Sequence, residues 1–220
     1  MTLAEAPTRS LRPASLTAGI SLFFVIGLAF FGAFGAVDAL VTPGDAAQTA
    51  ADIAASETLF RWGIACLAVV AMLDLVLAAS LYVVFETVNR AVSMLTAWFR
   101  VAFAAVYLVA ISQLVLAVTR LDHPEQVLAS IEAFEIIWNL GLLVFGVYLV
   151  LLGWLAYRAS FMAKVVGVLL VVAGLGYLVD SFGMVLVSDY SLQVVLFTFV
   201  GEVVLMLWLL FKGTRTTVEA

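Results

Sequence analysis

The stretch KVVGVLLVVAGLGYLVDSFGMVLV, residues 164–187, is 24 residues long and contains only two charged side chains, Lys164 and Asp180. A helix rises ~1.5 Å per residue, so a hydrocarbon core of ~30 Å needs about 20 apolar residues. The stretch therefore predicts a membrane-spanning helix. Its one interior charge, Asp180, raises the question of what an ionisable carboxyl does at that depth.

The whole chain has the composition of this stretch. Of its 220 residues, 65% are hydrophobic and 11% are charged, whereas a soluble domain is typically ~45–50% apolar and ~25% charged. The net charge is −5 and there is no basic run, which excludes nucleic acid as a partner. We expect a single transmembrane domain, residues 1–220, whose partner is the lipid bilayer.

Six apolar stretches are long enough to cross a bilayer, and short connections predict that neighbouring helices are antiparallel. The predicted fold is all-α, a polytopic membrane helical bundle of six transmembrane helices. The first stretch exceeds the ~7–15 apolar residues of a signal peptide and is therefore interpreted as a retained span. The spans are about 16–41, 58–85, 93–119, 127–156, 162–187 and 192–212.

Small residues in the fifth span indicate close helix packing. Gly167 and Gly174 are seven residues apart, as are Gly176 and Gly183. In a bilayer, small residues allow two helix backbones to approach closely. We expect these glycines to serve packing rather than ligand binding.

The basic residues predict the orientation. Seven of the ten lie at or beside the helix ends of one side, and the positive-inside rule places that side in the cytoplasm. Both termini are then cytoplasmic. The seven are Arg9, Arg12, Arg90, Arg158, Lys164, Lys212 and Arg215.

The longest connection, TPGDAAQTAADIAASE at residues 42–57, lies on the outer side in this orientation. Pro43 and Gly44 end the first span, and Asp45 is suited to cap a following helix. The Ala-rich segment after it predicts one short helix on the outer surface.

Two ionisable residues of the cytoplasmic half predict a structural ion pair. A charge in the middle of a span costs ~2.5–3.5 kcal/mol on insertion scales, so it normally faces a partner or a cavity. Asp74 lies ~16 Å and Arg100 ~10 Å from the cytoplasmic ends of their spans. A long arginine side chain covers that difference, and we expect the pair to lock two helices together.

Acids outnumber bases in the outer half. Glu132, Glu135 and Asn139 share one face of the fourth span, ~8–18 Å below the outer surface. Asp180 lies ~9 Å and Glu202 ~15 Å below it. The predicted ligand or ion pocket comprises Arg61, Glu132, Glu135, Asn139, Tyr177, Asp180 and Glu202. Asp38, near the outer end of the first span, is a further intramembrane charge outside this set.

Several chemistries do not fit the sequence. Cys66 and His123 are the only residues of their types, so one chain forms neither a disulfide nor a Cys/His zinc site. No phosphate-binding or dinucleotide-binding glycine motif occurs. We therefore assign no catalytic residue, no metal and no cofactor, and an enzyme is the less favoured interpretation.

Four segments together resemble the DUF4386 family of uncharacterised bacterial integral membrane proteins. They are TPGDAAQTAADIAASETLFRWG, DLVLAASLYVVFETVNRAVSMLTAWFR, GWLAYRASFMAKVVGVLLVVAGLGYLVDSF and GEVVLMLWLLFKG. The resemblance implies a six-span protein of the bacterial inner membrane and implies no activity. The residues that match the family pattern include Asp45, Arg61, Asp74, Asn89, Arg100, Tyr157, Asp180 and Glu202.

Three functions stay open at this point. The acid excess favours binding or transport of a small cation, a proton or a cationic or lipidic solute through an outward-facing pocket. A structural or regulatory subunit, whose buried charges pair with a membrane partner or a second copy, is the first alternative. An intramembrane lipid-modifying enzyme that uses carboxylates is the second.

Overall fold

Long apolar runs without an interior proline form continuous helices, because in lipid every backbone N–H and C=O group must be paired within the segment. A computed structural model of the chain, which describes residues 8–187, 190 and 200–219, has seven α-helices in that part. They are α1 (Arg12–Phe30), α2 (Ala46–Ala55), α3 (Glu57–Phe85), α4 (Arg90–Val118), α5 (Pro124–Arg158), α6 (Lys164–Leu186) and α7 (Val200–Phe211).

Five helical segments of the described residues are long and apolar enough to cross a membrane, which indicates a membrane protein. The first joins α1 to the turns after it, and the others are α3, α4, α5 and α6. Their bounds agree with the predicted spans to within four residues. In the sixth predicted span, residues 192–199 lie outside the described part, so the six-span arrangement and the cytoplasmic termini stay predictions.

The helical segment that continues from α1 after Phe30 departs from α-helical geometry. Residues Phe31–Val37 form a π-helix, and Asp38–Leu40 form a 3-10 turn. A β-carbon on Gly32 would lie 2.7 Å from Leu67 of α3, and one on Gly63 of α3 would lie 2.6 Å from Ala36. Glycine at both positions therefore lets the π-helix pack directly against the α3 backbone.

The predicted short helix is α2, and its cap is confirmed. The backbone N–H of Gln48 donates to the Asp45 carboxylate at 2.9 Å, which satisfies one of the unpaired donors at the helix start. Gly44 has φ +76°, a left-handed conformation that favours glycine. The location of α2 on the outer side stays a prediction.

The two ends of the described chain pair in a way that the sequence analysis did not predict. Strands β1 (Thr8–Ser10) and β2 (Thr217–Glu219) are antiparallel, with Ser10 opposite Thr217. The backbone N–H of Leu11 continues the pairing with the carbonyl oxygen of Thr216 at 3.1 Å. Three-residue strands with no alternating pattern leave no signal in a hydropathy profile.

The chain forms two compact units. Unit 1 comprises Met1–Phe23, Leu75–Val101 and Leu142–Ala220, and unit 2 comprises Phe24–Asp74 and Ala102–Gly141. The single domain predicted for residues 1–220 stays a prediction.

Close helix packing through glycine is confirmed within unit 1. A β-carbon on Gly167 of α6 would lie 2.5 Å from the Tyr157 nitrogen and 2.6 Å from the Gly153 carbonyl oxygen of α5. Gly174 is equally close to the Gly146 carbonyl oxygen, at 2.7 Å. The backbones of α5 and α6 are therefore in contact over several turns.

Candidate functional site

Helix α5 carries the polar face of the predicted pocket in unit 2. Glu132 and Glu135 are exposed, and Asn139 is half-buried. The Asn139 side-chain amide donates to the Glu135 carbonyl oxygen at 2.8 Å, one turn back on the same helix. Their spacing places the three side chains on one face, as the sequence predicts.

Asp38 adds a carboxyl from a second helical segment. Its backbone N–H donates to the carbonyl oxygen of Ala33, five residues back, which is the π-helical pattern. The carboxyls of Asp38 and Glu132 lie within electrostatic range of the Glu135 carboxyl. We refer to Asp38, Glu132 and Glu135 as the acidic cluster. The sequence analysis recognised Asp38 as an intramembrane charge but did not assign it to the pocket.

Arg61 is paired with an acid outside the acidic cluster. Its Nε donates to the Glu57 carboxylate at 2.6 Å, and the two side chains are 57% and 43% exposed. The signal for this pair was present in the sequence, since Glu57 precedes Arg61 by four residues on one helix. The positive charge of Arg61 is therefore paired with Glu57, near the start of α3, and not with the acidic cluster.

The charges of unit 2 are strongly unbalanced. Two basic residues, Arg61 and Arg120, are present, and the nine acidic residues are Asp38, Asp45, Asp52, Glu57, Asp74, Asp122, Glu125, Glu132 and Glu135. Pairing within this unit leaves most of the carboxyls without a cation.

The other predicted pocket residues, Tyr177, Asp180 and Glu202, belong to unit 1. The Tyr177 hydroxyl lies 3.5 Å from a Glu202 carboxylate oxygen, a long hydrogen bond between α6 and the first turn of α7. Because four of the seven residues fall in unit 2 and three in unit 1, the single pocket stays a prediction.

Asp180, the interior charge of the fifth span, accepts a hydrogen bond from the Tyr190 hydroxyl at 2.6 Å. The Tyr190 ring also lies directly against Gly183, where a larger residue would not fit. The hydrogen bond to Asp180 raises the pKa of Tyr190 to about 12. Tyr190, which follows the end of α6, is not among the predicted pocket residues.

Arg100 and Asp74 are both buried, with exposed fractions of 2% and 1%. The Arg100 guanidinium lies 4.8 Å from the centre of the Tyr148 ring and 5.2 Å from that of Phe145. In unit 2, Asp74 lies within electrostatic range of the buried Tyr107. Arg100 belongs to unit 1 and Asp74 to unit 2, so their predicted ion pair stays a prediction.

Two further features bear on ligand binding. Among the described residues, no three His, Cys, Asp or Glu side chains are arranged to hold a metal ion. A shallow apolar groove lies in unit 1, at the ends of α3 and α5 and the start of α4, and contains none of the predicted pocket residues. It is lined by Ala78, Leu81, Tyr82, Phe85, Ser93, Thr96, Ala97, Tyr148, Leu152 and Leu155.

Comparison with known proteins places the chain among relatives without an assigned activity. A protein family described as "Domain of unknown function (DUF4386)" matches residues 17–213, from the second turn of α1 to the end of α7. An uncharacterized protein of Archaeoglobus fulgidus is 33% identical over 144 residues, which are 66% of this chain and 79% of the relative. No solved structure matches the chain.

Proposed function

We propose that this chain, which belongs to the DUF4386 family, carries protons or a small cationic solute through the acidic side chains of its membrane spans. In this proposal it is a six-span protein of a bacterial inner membrane with both termini in the cytoplasm. The acidic side of the pocket opens outward.

One observation carries the proposal, namely that the carboxyls of Asp38 and Glu132, on two helical segments long and apolar enough to cross a membrane, lie within electrostatic range of the Glu135 carboxyl. Like charges disfavour each other's ionised form, and an apolar surrounding does the same. A proton or a cation that reaches these carboxyls relieves the repulsion. Purely structural acids are normally paired with a cation or a hydrogen-bond donor.

The charges around the acidic cluster support a cation rather than an anion as the ligand. Arg61 is paired with Glu57, and unit 2 has nine acids against two bases. A low-dielectric wall strengthens the potential of such an unbalanced set and raises the local cation concentration. Asn139 contributes a neutral amide, which completes the polar face without adding a positive charge.

The carboxyls of unit 1 complete the proposed set. Asp180 and Glu202 each face a tyrosine hydroxyl, at 2.6 Å and 3.5 Å. A hydroxyl that donates to a carboxylate stabilises the ionised acid and is itself a proton carrier. Within unit 1, we assign proton or cation binding to Tyr177, Asp180 and Glu202 as well.

The experiment is a flux measurement on purified protein in liposomes that contain a pH-sensitive dye. With an imposed proton gradient, and then with added organic cations, we expect wild-type liposomes to change internal pH faster than protein-free liposomes. Glu135→Gln should reduce the flux to the protein-free rate. Glu125→Gln, an acid in the first turn of the same helix and outside the acidic cluster, is the matched control and should retain the flux.

Other outcomes of this experiment reject the proposal in favour of a named alternative. Absence of flux together with a co-purifying membrane protein indicates a structural or regulatory subunit. Turnover of the liposome lipid without flux indicates an intramembrane enzyme.

A further inference from the structure

Exposed basic side chains are concentrated at one end of unit 1. The paired strands β1 and β2 join the start of α1 to the end of α7. Phe161, between α5 and α6, lies 6.2 Å from Phe85 at the end of α3 and 6.0 Å from Trp208 of α7. These contacts bring the helix termini of unit 1 together. The exposed basic residues there are Arg12, Arg90, Arg158, Lys164, Lys212 and Arg215.

Two of these basic residues lie at the turn between α5 and α6. Arg158 is the last residue of α5, and Lys164 is the first residue of α6. The Arg158 guanidinium lies 5.8 Å from the centre of the Trp154 ring, and the Lys164 ammonium lies 5.3 Å from that of Tyr157. Each cation is therefore held by an aromatic ring of α5.

The helix packing keeps these two cations on neighbouring chain segments. Gly167 contacts the backbone of Tyr157 and Gly153, so the first turn of α6 lies against the last turns of α5. Trp154 and Tyr157 are 41% and 45% exposed. Tryptophan and tyrosine with this exposure are typical of the headgroup level of a bilayer.

An apolar stripe continues from Lys164 along α6. Its residues follow at intervals of three and four, which places them on one helix face. They are Val165, Val168, Val172 and Leu175, which are 58%, 48%, 48% and 50% exposed. A stripe of aliphatic side chains below a pair of cations matches the shape of a phospholipid, whose acyl chains run away from a charged headgroup.

We propose that the α5–α6 turn is a binding site for an anionic phospholipid. The headgroup phosphate contacts Arg158 and Lys164, the rings of Trp154 and Tyr157 lie at the level of the glycerol backbone, and an acyl chain lies along the α6 stripe. Clusters of basic residues beside membrane spans attract anionic lipids. The site shares no residue with the acidic cluster and does not depend on the proposed transport function.

The test is native mass spectrometry of the full chain in detergent with added phosphatidylglycerol or phosphatidylcholine. We expect the wild type to retain phosphatidylglycerol in preference to phosphatidylcholine. The double substitution R158Q/K164Q should weaken phosphatidylglycerol binding about 30-fold, the change expected for two basic residues near a membrane surface. Excess inorganic phosphate should not displace the lipid, because it lacks the acyl chains.

The matched control is R12Q/K212Q, which removes the same charge from the same end of unit 1 and should leave phosphatidylglycerol binding within about threefold of wild type. An equal loss in both double variants would show diffuse attraction and overturn the proposal, as would retention of both lipids alike. Displacement by inorganic phosphate would mean a free-anion site instead.

A measurement on the unmodified protein covers the case in which R158Q/K164Q does not fold. Photoactivatable phosphatidylglycerol, cross-linked to wild-type protein in vesicles, should label peptides from residues 154–175. Labelling confined to other helices would overturn the site.

Discussion

The two units use their carboxyls in different ways. In unit 1, Asp180 and Glu202 each face a tyrosine hydroxyl, and basic residues outnumber acidic ones by eight to six. In unit 2, the Glu135 carboxyl lies within electrostatic range of those of Asp38 and Glu132, and there are nine acidic residues and two basic ones. A hydrogen-bond donor stabilises the ionised form of an acid, whereas like charges within electrostatic range of one another are stabilised by a bound proton or cation.

The two buried charges, Arg100 and Asp74, have similar surroundings, because each lies near aromatic residues of its own unit. Arg100 lies over Phe145 and Tyr148 in unit 1. In unit 2, Asp74 lies near Tyr107, whose ring is stacked with Phe103 at 5.7 Å. A fully buried charge contributes to stability through its partner, and its removal should therefore have the largest effect on folding.

The largest expected effect is that of Arg100→Met, which should lower the free energy of unfolding by about 3–5 kcal/mol because it leaves a buried counter-charge behind. We expect that counter-charge to be Asp74. The double variant R100M/D74L should then be more stable than R100M alone. Denaturation in detergent micelles measures both.

The matched control for this prediction is Arg158→Met, which removes an exposed cation that also lies over an aromatic ring. It should cost less than about 1 kcal/mol. Additive losses in R100M and D74L would contradict the predicted ion pair.

Glycine substitutions compare the helix packing of the two units. Gly167→Ala in unit 1 places a β-carbon against backbone atoms of α5, and Gly63→Ala in unit 2 places one against the Ala36 β-carbon. Overpacking of this kind costs about 1–3 kcal/mol, and we expect Gly167 to be the more sensitive because a backbone cannot rotate away. The midpoint of thermal unfolding of each variant shows which of the two substitutions is the more destabilising.

Gly27→Ala is the control for both substitutions, because a β-carbon there has no neighbour within 4 Å. Alanine is the better helix former by about 0.5–1 kcal/mol, so this variant should be as stable as wild type or more so. If Gly63→Ala were as stable as Gly27→Ala, the π-helix after α1 would not be packed on α3 as described.

Acid-to-amide substitutions test directly whether the carboxyls of the two units differ in their contribution to stability. Asp180→Asn removes a charged acceptor from Tyr190 and should destabilise the protein by about 1–2 kcal/mol. Glu135→Gln removes a repulsion and should leave the unfolding free energy unchanged or higher. Equal destabilisation by both would mean that the acidic cluster is structural too.

The smallest effect concerns the ionisation of Tyr190, whose pKa is raised from 10.0 to about 12 by its hydrogen bond to Asp180. Since the folded-state pKa is the higher one, this contact stabilises the protein fully below pH 10, and the contribution is lost as the pH rises towards 12. Difference absorbance titration of wild type against Tyr190→Phe isolates this phenol. In an Asp180→Asn background its pKa should return towards 10.

The membrane helices were predictable from the sequence, whereas the partners of the polar side chains were mostly not. Runs such as residues 164–187 exclude every structure but a helix in lipid, and the bounds of α3 follow from hydropathy alone. The π-helix before Asp38 contains Gly32, which lies close to Gly63 and Leu67 of α3. That is a tertiary contact, and no local pattern reports it.

The pairing of Arg61 shows the opposite case. Its partner Glu57 is one helical turn away, so the pair was predictable from spacing alone, although Arg61 was predicted only as a member of the pocket. Asp180 is different again, because Tyr190 lies beyond the end of α6. Depth estimates order residues along a helix normal to the bilayer but do not report the direction in which a side chain points.

The most direct test of the acidic cluster is a double-mutant cycle on flux into liposomes with Asp38→Asn, Glu135→Gln and the combined variant. If the two carboxyls from separate helical segments act on one proton or cation, each single variant abolishes the flux increment over protein-free liposomes, and the combined variant is no lower than either. Wild-type flux in both single variants, or partial losses that multiply in the combined variant, would contradict the account.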